Sequence, residues 1–393
     1  MRATVLALVI IFAPTIGAAV LPRPLKAQKA RILTNPVGLR SVNSVPSVPS
    51  VPSVPSVALV SQSAQSAATR GEWTADTRNT WRDDDGEPRV QFNLRTSAGD
   101  SRWGFGVRLR ELAGLPSAAV SNLANDVQFT WTREAGTFRF SGSFDQGRGA
   151  GTYSFAQDQA FVTNMANAGY KNLTADQIVR MAVIDVTVAH ARGLAQAGYA
   201  NLPIEDLIRT RIHRVTPEFV RDLAAVGYKS IAVEDLIRMA IHGANAANIK
   251  ALQDAGIRGQ SVEDVIRFRI HKVTPEFIRA MEQRGYRNVP AEDLVKMRIH
   301  KVSPEEMDQL KALGFGGMSI DDYVKFRIHK VTPEYIKAMK DVGFSTVSED
   351  QLVRMRIHRV DATFVRHARE DGLTVQTPGD AISLAIHGPR RKR

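Results

Sequence analysis

The sequence contains no cysteine, and this absence removes several kinds of chemistry at once. Disulfide bonds, iron–sulfur clusters and a catalytic thiolate all need cysteine sulfur. The 393 residues also show no HExxH helix, phosphate-binding loop or dinucleotide fingerprint. We therefore expect a protein that is not an enzyme and that holds no cofactor and no metal.

Acidic residues are missing from the first part of the chain, and this accounts for most of its net charge of +12. Residues 1–70 contain seven lysines and arginines and no acid, and the basic tail, residues 390–393, adds four positive charges. Residues 71–389 therefore carry a net charge of only +1. A folded part that is nearly neutral argues against nucleic acid as the partner.

The N-terminal segment, residues 1–21, is apolar behind Met1 and Arg2 and ends in the small residues Gly17, Ala18 and Ala19. This pattern predicts a signal peptide or, as the alternative, an uncleaved membrane anchor. Four basic residues between positions 23 and 31 count against export, because such a flank tends to stay in the cytoplasm. We expect an exported protein, periplasmic or tethered to the membrane by its N-terminus.

Residues 22–70 form a basic linker rich in serine, valine and proline. Residues 41–57 read SVNSVPSVPSVPSVPSV, and proline at every third position favours extended polyproline II. At ~3.1 Å per residue this stretch would reach about 50 Å. We expect the linker to act as a spacer without a core of its own.

Residues 71–156 alternate apolar and polar side chains, which predicts an antiparallel β domain. All four tryptophans lie here, so we expect an aromatic core in a sheet, sandwich or small barrel. The acidic run 83–87 lacks the ligand spacing of a calcium loop and is interpreted as a turn. The glycines at 147, 149 and 151 are interpreted as a hairpin between strands. The predicted strands include VQFNL (90–94), WGFGVRL (103–109), VQFTW (127–131), TFRFSGSF (137–144) and GTYSF (151–155).

Residues 157–389 repeat with a period of 29 residues in eight units. One position always holds a side chain that can cap a helix N-terminus. These residues are Asp158, Thr187, Thr216, Asn245, Thr274, Ser303, Thr332 and Asp361. Eleven residues later each unit has a glycine, which predicts the left-handed end of that helix.

The second half of each unit, such as PAEDLVKMRIH (290–300), predicts a second short helix. In seven units an acid precedes a base by four residues, which favours ion pairs within that helix. Each unit is thus predicted to be a helix–turn–helix hairpin, and eight stacked hairpins make an all-α solenoid. The predicted fold class is α+β multidomain, a small antiparallel β domain followed by this solenoid.

A histidine recurs near the end of the second helix in seven units, which raises a metal or pH-sensing hypothesis. Equivalent residues of stacked units lie about 8 to 10 Å apart, too far for two imidazoles to share a zinc ion. We expect a structural role, since histidine favours a helix C-terminus. The residues are His213, His242, His271, His300, His329, His358 and His387.

Basic residues flank these histidines and could form a positive ridge that binds a protein or a polyanion. The alternative is a solvated face that is paired with acids of neighbouring helices. The candidate ridge consists of Arg211, Arg269, Arg298, Arg327, Arg356, Lys272, Lys301 and Lys330.

The segments RIHKVTPEFI (269–278) and RIHKVTPEYI (327–336) resemble repeats in the C-terminal extracytoplasmic part of some bacterial membrane sensors. Those sensors are similar to the beta-lactam-responsive antirepressor metallopeptidases. The resemblance covers roughly Asp158–Gly388 and implies an envelope location with a sensing or scaffolding role. Peptidase activity does not carry over, because the zinc-binding HExxH motif is missing.

From the sequence we expect a non-enzymatic binding, scaffold or sensor module of the cell envelope that binds a protein or polyanionic partner through its repeats. The alternative is a cytoplasmic helical-repeat protein that grips nucleic acid through the glycine turns, as a helix–hairpin–helix motif does. That motif needs a more glycine-rich hairpin than the one glycine usual here.

Overall fold

The computed structural model describes residues 69–78, 89–97, 102–120 and 123–388. The expected signal or anchor (1–21), the linker as far as residue 68 and the basic tail (390–393) lie outside these residues. Trp81 and the acidic run 83–87 lie outside them as well.

The β domain is one antiparallel sheet with the strand order β3-β2-β1-β7-β6-β5-β4. The sheet curls, so that Phe105 on β3 stacks on Trp131 of β5 with ring centroids 4.9 Å apart. The strands are β1 Thr69–Asp76, β2 Arg89–Thr96, β3 Arg102–Arg108, β4 Leu112–Ala113, β5 Ala124–Arg133, β6 Gly136–Asp145 and β7 Arg148–Gln157.

Strand β1 begins inside the segment that composition assigned to the linker, which was placed as far as residue 70. Thr69 pairs with Phe155 and Arg70 with Ser154 of β7. The backbone carbonyl of Arg70 also accepts hydrogen bonds from the amide and hydroxyl of Ser97. Pairing with two neighbouring strands therefore orders these polar residues, which their own composition does not reveal.

The aromatic core predicted for the β domain is present among the described residues. Trp73 and Trp131 are each 1% exposed, and Trp73 lies edge-on to Phe129 at 5.5 Å. The glycines near position 149 serve this packing. A Cβ atom on Gly149 would lie 2.5 Å from Phe144 and 2.7 Å from Trp73. Of the predicted glycine hairpin, Gln146 and Gly147 form the turn, while residues 149 and 151 lie within β7.

Sixteen helices follow the sheet, two in each of the eight units, which confirms the predicted fold class of a β domain with an all-α repeat region. The first helices of the units are α1 Gln159–Asn167, α3 Val188–Gln196, α5 Pro217–Ala225, α7 Ala246–Asp254, α9 Pro275–Gln283, α11 Pro304–Ala312, α13 Pro333–Asp341 and α15 Ala362–Glu370. The second helices are α2 Ala175–Ile184, α4 Ile204–Ile212, α6 Val233–Ile241, α8 Val262–His271, α10 Ala291–Ile299, α12 Ile320–His329, α14 Glu349–Ile357 and α16 Pro378–His387.

The predicted capping residues hold the ends of the first helices. In all eight units the side chain of the N-cap residue accepts a hydrogen bond from the amide three positions later, as Thr274 does from Phe277. All eight glycines have positive φ, for example +92° at Gly285. The amide after the glycine then bonds back into the helix, from Tyr286 to the carbonyl of Met281. This backbone conformation favours glycine because it has no Cβ.

The helices stack in two layers, with first helices packed on first helices and second helices on second helices of the next unit. Tyrosines after the glycine help to join the units. The hydroxyl of Tyr228 donates to the carbonyl of Gln260 at 2.8 Å, and that of Tyr286 donates to Met318 at 2.7 Å. Each bond crosses from one unit to the next, so this aromatic side chain does more than pack on its own helix.

The sheet rests on the first unit, where α2 contacts β1, β3 and β7. Arg133 of β5 pairs with Glu111 at 2.8 Å and lies 3.9 Å from Asp185, at the end of α2. The carboxylate of Glu134 accepts a hydrogen bond from the first amide of α3 at 3.4 Å. Charged groups therefore fix the β domain against the start of the repeats.

A candidate binding edge on the second helices

The second helices expose a face that is built in the same way from unit to unit. In α10 the outer side carries Glu292, Lys296, Ile299 and His300 at helical spacing, and Ile299 is 51% exposed. Leu294, Val295 and Met297 point into the core. Stacking the units turns these four positions into rows that run along the repeat region.

An apolar row on this face is the feature that the sequence analysis missed. Isoleucine occupies the position before the histidine, and in six consecutive units it is between 46% and 54% exposed. We call these six residues the isoleucine ladder. They are Ile241, Ile270, Ile299, Ile328, Ile357 and Ile386. The sequence contains a signal for this row. In most units charged residues stand three and seven positions before the isoleucine, on the same face of the helix, so the isoleucine is expected on a solvent-facing side.

The ladder does not extend to the first two units. Ile212 is half-buried, and the equivalent Val183 is only 7% exposed on α2, the helix on which the β sheet rests. At this edge, therefore, the first unit is already covered by a protein domain. The other six units present the same edge to solvent.

The arginines of the candidate ridge are engaged, and four of the five form hydrogen bonds between units. The Nε atoms of Arg327 and Arg356 each donate at 3.2 Å to the carbonyl of the histidine one unit earlier. Arg269 does so at 3.4 Å, and Arg211 donates at 2.8 Å to the carbonyl of Asp185. These bonds satisfy carbonyls at the end of the preceding second helix.

The same arginines also contact the third residue of the first helix in their own unit. Arg356 lies over the Tyr335 ring at 4.8 Å, and Arg298 lies over the Phe277 ring at 5.0 Å. In the unit between them Arg327 pairs with Glu306 at 3.1 Å. Cation–π contacts and an ion pair thus engage these arginines, in line with the alternative of a face paired with neighbouring helices. Their partners lie on other helices, where sequence spacing does not reveal them.

The basic residues after the histidines differ from the arginines, because all five are exposed. Within the described ranges none of them forms an ion pair. Each has a left-handed backbone, with φ between +57° and +59°. It therefore ends its helix in the conformation that glycine commonly adopts at helix C-termini. We call this set the basic row. It consists of Arg214, Lys272, Lys301, Lys330 and Arg359.

Acids and bases alternate along the N-terminal part of the exposed face. Arg209 binds Glu234 of the next unit at 2.7 Å, and Arg238 binds Glu263 in the same way at 2.7 Å. Within their own helix the same arginines pair with Asp206 and Asp235, three residues earlier, and not with the glutamate four residues earlier as predicted. Stacking brings four of the seven bases beside the acid 25 residues later, and this acid–base row joins neighbouring second helices.

The seven repeated histidines lie at the ends of second helices, as their position in the sequence indicates. In the part of the chain that the structure describes, their side chains form no hydrogen bond. Arginines of the next unit instead donate to the backbone carbonyls of His242, His300 and His329. Burial and the nearby Arg209 guanidinium lower the pKa of His213. Most of the seven imidazole rings lie half-buried beside the isoleucine ladder.

One histidine outside this series has a distinct environment. His190 on α3 is 8% exposed, and its Nε2 lies 3.0 Å from the hydroxyl oxygen of Thr210. Thr210 donates its only hydroxyl proton to the carbonyl of Leu207 at 2.7 Å, so Nε2 must carry a proton and donate. Burial, reinforced by the charge of Arg211, lowers the pKa of His190 to about 4.

Two features are absent from the described ranges. No group of three or more histidine, aspartate or glutamate side chains there could hold a metal ion. Among the same residues, every helix is too short or too polar to cross a membrane. Comparison of the sequence with models of known protein families and with curated proteins finds no match to either.

Proposed function

We propose that this chain is a non-enzymatic binding module of the cell envelope that holds a protein partner on the edge formed by its second helices. The isoleucine ladder carries this proposal. Exposed apolar side chains are ordinary when they are scattered, but a continuous apolar row is typical of a binding surface. The units stack through other positions, so their own packing does not account for the ladder.

The envelope location is part of the proposal and is supported by the apolar N-terminal segment. An extended linker rich in proline would hold the repeats away from the membrane surface. The resemblance of the RIHKVTPE segments to extracytoplasmic repeats of membrane sensors points in the same direction. A scaffold or sensor role requires a stable surface, which eight stacked units provide.

A polyanion is the second candidate partner, because the basic row is exposed and free of ion pairs among the described residues. The two partners respond differently to salt. Contacts between apolar side chains persist at high ionic strength, whereas binding of a polyanion, including nucleic acid, weakens steeply.

The experiment compares two triple variants of the full chain in pull-downs from envelope extract at low and high salt. One replaces Ile270, Ile299 and Ile328 by serine, and the other replaces the lysines at 272, 301 and 330 by serine. We expect the isoleucine variant to lose the bound protein at both salt concentrations and the lysine variant to retain it.

The reverse pattern would contradict the proposal. If the lysine variant lost the partner, and salt alone released it from the unmodified chain, the ligand would be a polyanion. Helix content by circular dichroism is the control, since all six positions are exposed and the changes should leave the fold intact.

A further inference from the structure

We infer that the partner on the isoleucine ladder is a second copy of this chain, bound side by side with the two ladders parallel. The inference rests on the proposed function, since it names the occupant of the same edge. It makes the protein a homodimer whose contact repeats along the array.

Spacing is the first argument. Stacked helices lie about 8 to 10 Å apart, so the six isoleucines form an apolar row with one side chain per step. A ligand that fills the whole row must present apolar groups at the same spacing. A second copy has this spacing by construction, because its ladder is built from the same 29-residue unit.

The size of the edge is the second argument. Five steps between Ile241 and Ile386 give a length of about 45 Å. From Glu292 to Lys301 the exposed face spans nine residues, or about 14 Å at the helical rise. The product is about 600 Å² for each copy, which reaches the lower bound of about 1,200 Å² in total for a specific interface.

Charge decides the orientation. On each helix the basic row lies on one side of the ladder and the acid–base row on the other, as Lys301 and Lys296 do around Ile299. When the two-fold axis runs along the ladder, each basic row faces the acid–base row of the second copy, in which acids and bases alternate. With an axis across the ladder, the two basic rows would face each other and repel. The acids of the acid–base row, such as Glu234 and Asp321, are paired within their own copy, but their side chains are still 60% and 70% exposed and accessible to the basic row of the second copy.

The first unit provides the third argument, because it shows this edge already used in a contact with protein. Val183 stands in the isoleucine position and is buried where the sheet rests on α2. The open ladder continues from that contact along the following units. A second copy would extend an existing protein contact to the units that the β domain leaves exposed.

The chain lacks cysteine, so one introduced cysteine is its only thiol. Full-length variants Ile270→Cys, Ile299→Cys and Ile328→Cys are oxidised mildly, and the dimer fraction is measured on a non-reducing gel. In the parallel dimer every ladder residue meets its own counterpart, so all three variants should cross-link. Gln283→Cys, exposed at the end of α9 in the other layer, is the matched control and should stay monomeric.

An antiparallel dimer would give another pattern, in which no variant cross-links alone, but the 270 variant cross-links with an Ile357→Cys variant and the 299 variant with the 328 variant. That result would overturn the parallel arrangement. Equal cross-linking of the Gln283 control would overturn the contact itself. So would a wild-type chain that sediments as a monomer at its highest soluble concentration.

Sedimentation equilibrium of the unoxidised protein separates this inference from the proposed function. Serine at positions 270, 299 and 328 should weaken dimerisation about tenfold or more. If the wild type is monomeric but the same variant still loses a partner in the pull-down, the dimer is wrong and the binding edge stands. If the serine variant loses neither dimerisation nor the protein partner in the pull-down, both proposals fail.

Discussion

The buried pair of His190 and Thr210 predicts a specific loss of stability in acid. In most other units the position of His190 holds phenylalanine or tyrosine, and that of Thr210 holds methionine, phenylalanine or leucine. The second unit therefore replaces an apolar contact by a hydrogen bond from a neutral imidazole. Protonating that ring would bury a charge inside the core, and the nearby charge of Arg211 opposes it further, so the folded state resists protonation.

The magnitude follows from the two pKa values. The ordinary pKa of 6.5 applies to the unfolded chain, and the folded chain has a pKa of about 4 at His190. Above the higher value both states are neutral, and the histidine contributes nothing to pH dependence. Between the two values only the unfolded state binds a proton, so stability falls as pH falls, by about 1.4 kcal/mol per pH unit. The full loss below the lower value is about 3 kcal/mol.

The assay is urea unfolding of the full chain, followed by far-UV circular dichroism at about pH 7 and about pH 4.5. Acidification over this range should lower the free energy of unfolding of the wild type by about 2 kcal/mol through this histidine. The double variant His190→Phe with Thr210→Met introduces the apolar residues found in most other units. It should not show the loss of stability that protonation of His190 causes. His367→Gln, at an exposed histidine on α15, is the control and should behave like the wild type. If wild type and double variant lost equal stability on acidification, the buried neutral histidine would be wrong.

Three other substitutions test separate contacts. Arg133→Ala removes the ion pair to Glu111 and should lower the stability of the β domain by about 1 kcal/mol, measured by tryptophan fluorescence, because every tryptophan precedes the repeats. Tyr228→Phe leaves the carbonyl of Gln260 without its hydroxyl donor and should lower the urea midpoint of the helical signal by an amount equivalent to about 1 kcal/mol. Gly149→Ala places a methyl group against Trp73 and should destabilise the sheet by about 2 kcal/mol or more, while the helical signal remains.

The elements of this fold could be predicted because their signals are local. A capping side chain such as Thr274 bonds an amide three residues away, and a glycine such as Gly285 ends the helix that precedes it. Alternation along β5 and β6 likewise appears within single strands. Each of these patterns fits in a short window, and eight repetitions confirm one another.

The partners of the charged residues could not be predicted, because stacking brings together residues that are far apart in sequence. Arg356 donates to a carbonyl 27 residues earlier, and Arg238 binds an acid 25 residues later. A helix considered alone offers Arg238 the glutamate four residues before it, which is the pairing that we expected. Only the spacing between units shows that the acid of the next helix takes that place.

The first unit supports the proposal that the isoleucine ladder is a binding surface. Where the sheet covers this edge, valine and aspartate occupy the positions that hold isoleucine and mostly a basic residue in later units. Both positions therefore change when their surroundings change. In six solvent-facing units a polar residue would keep the helix and avoid exposing apolar surface, yet isoleucine stands at each of them. The proposed partner would cover these side chains and so account for an apolar residue repeated at that exposure.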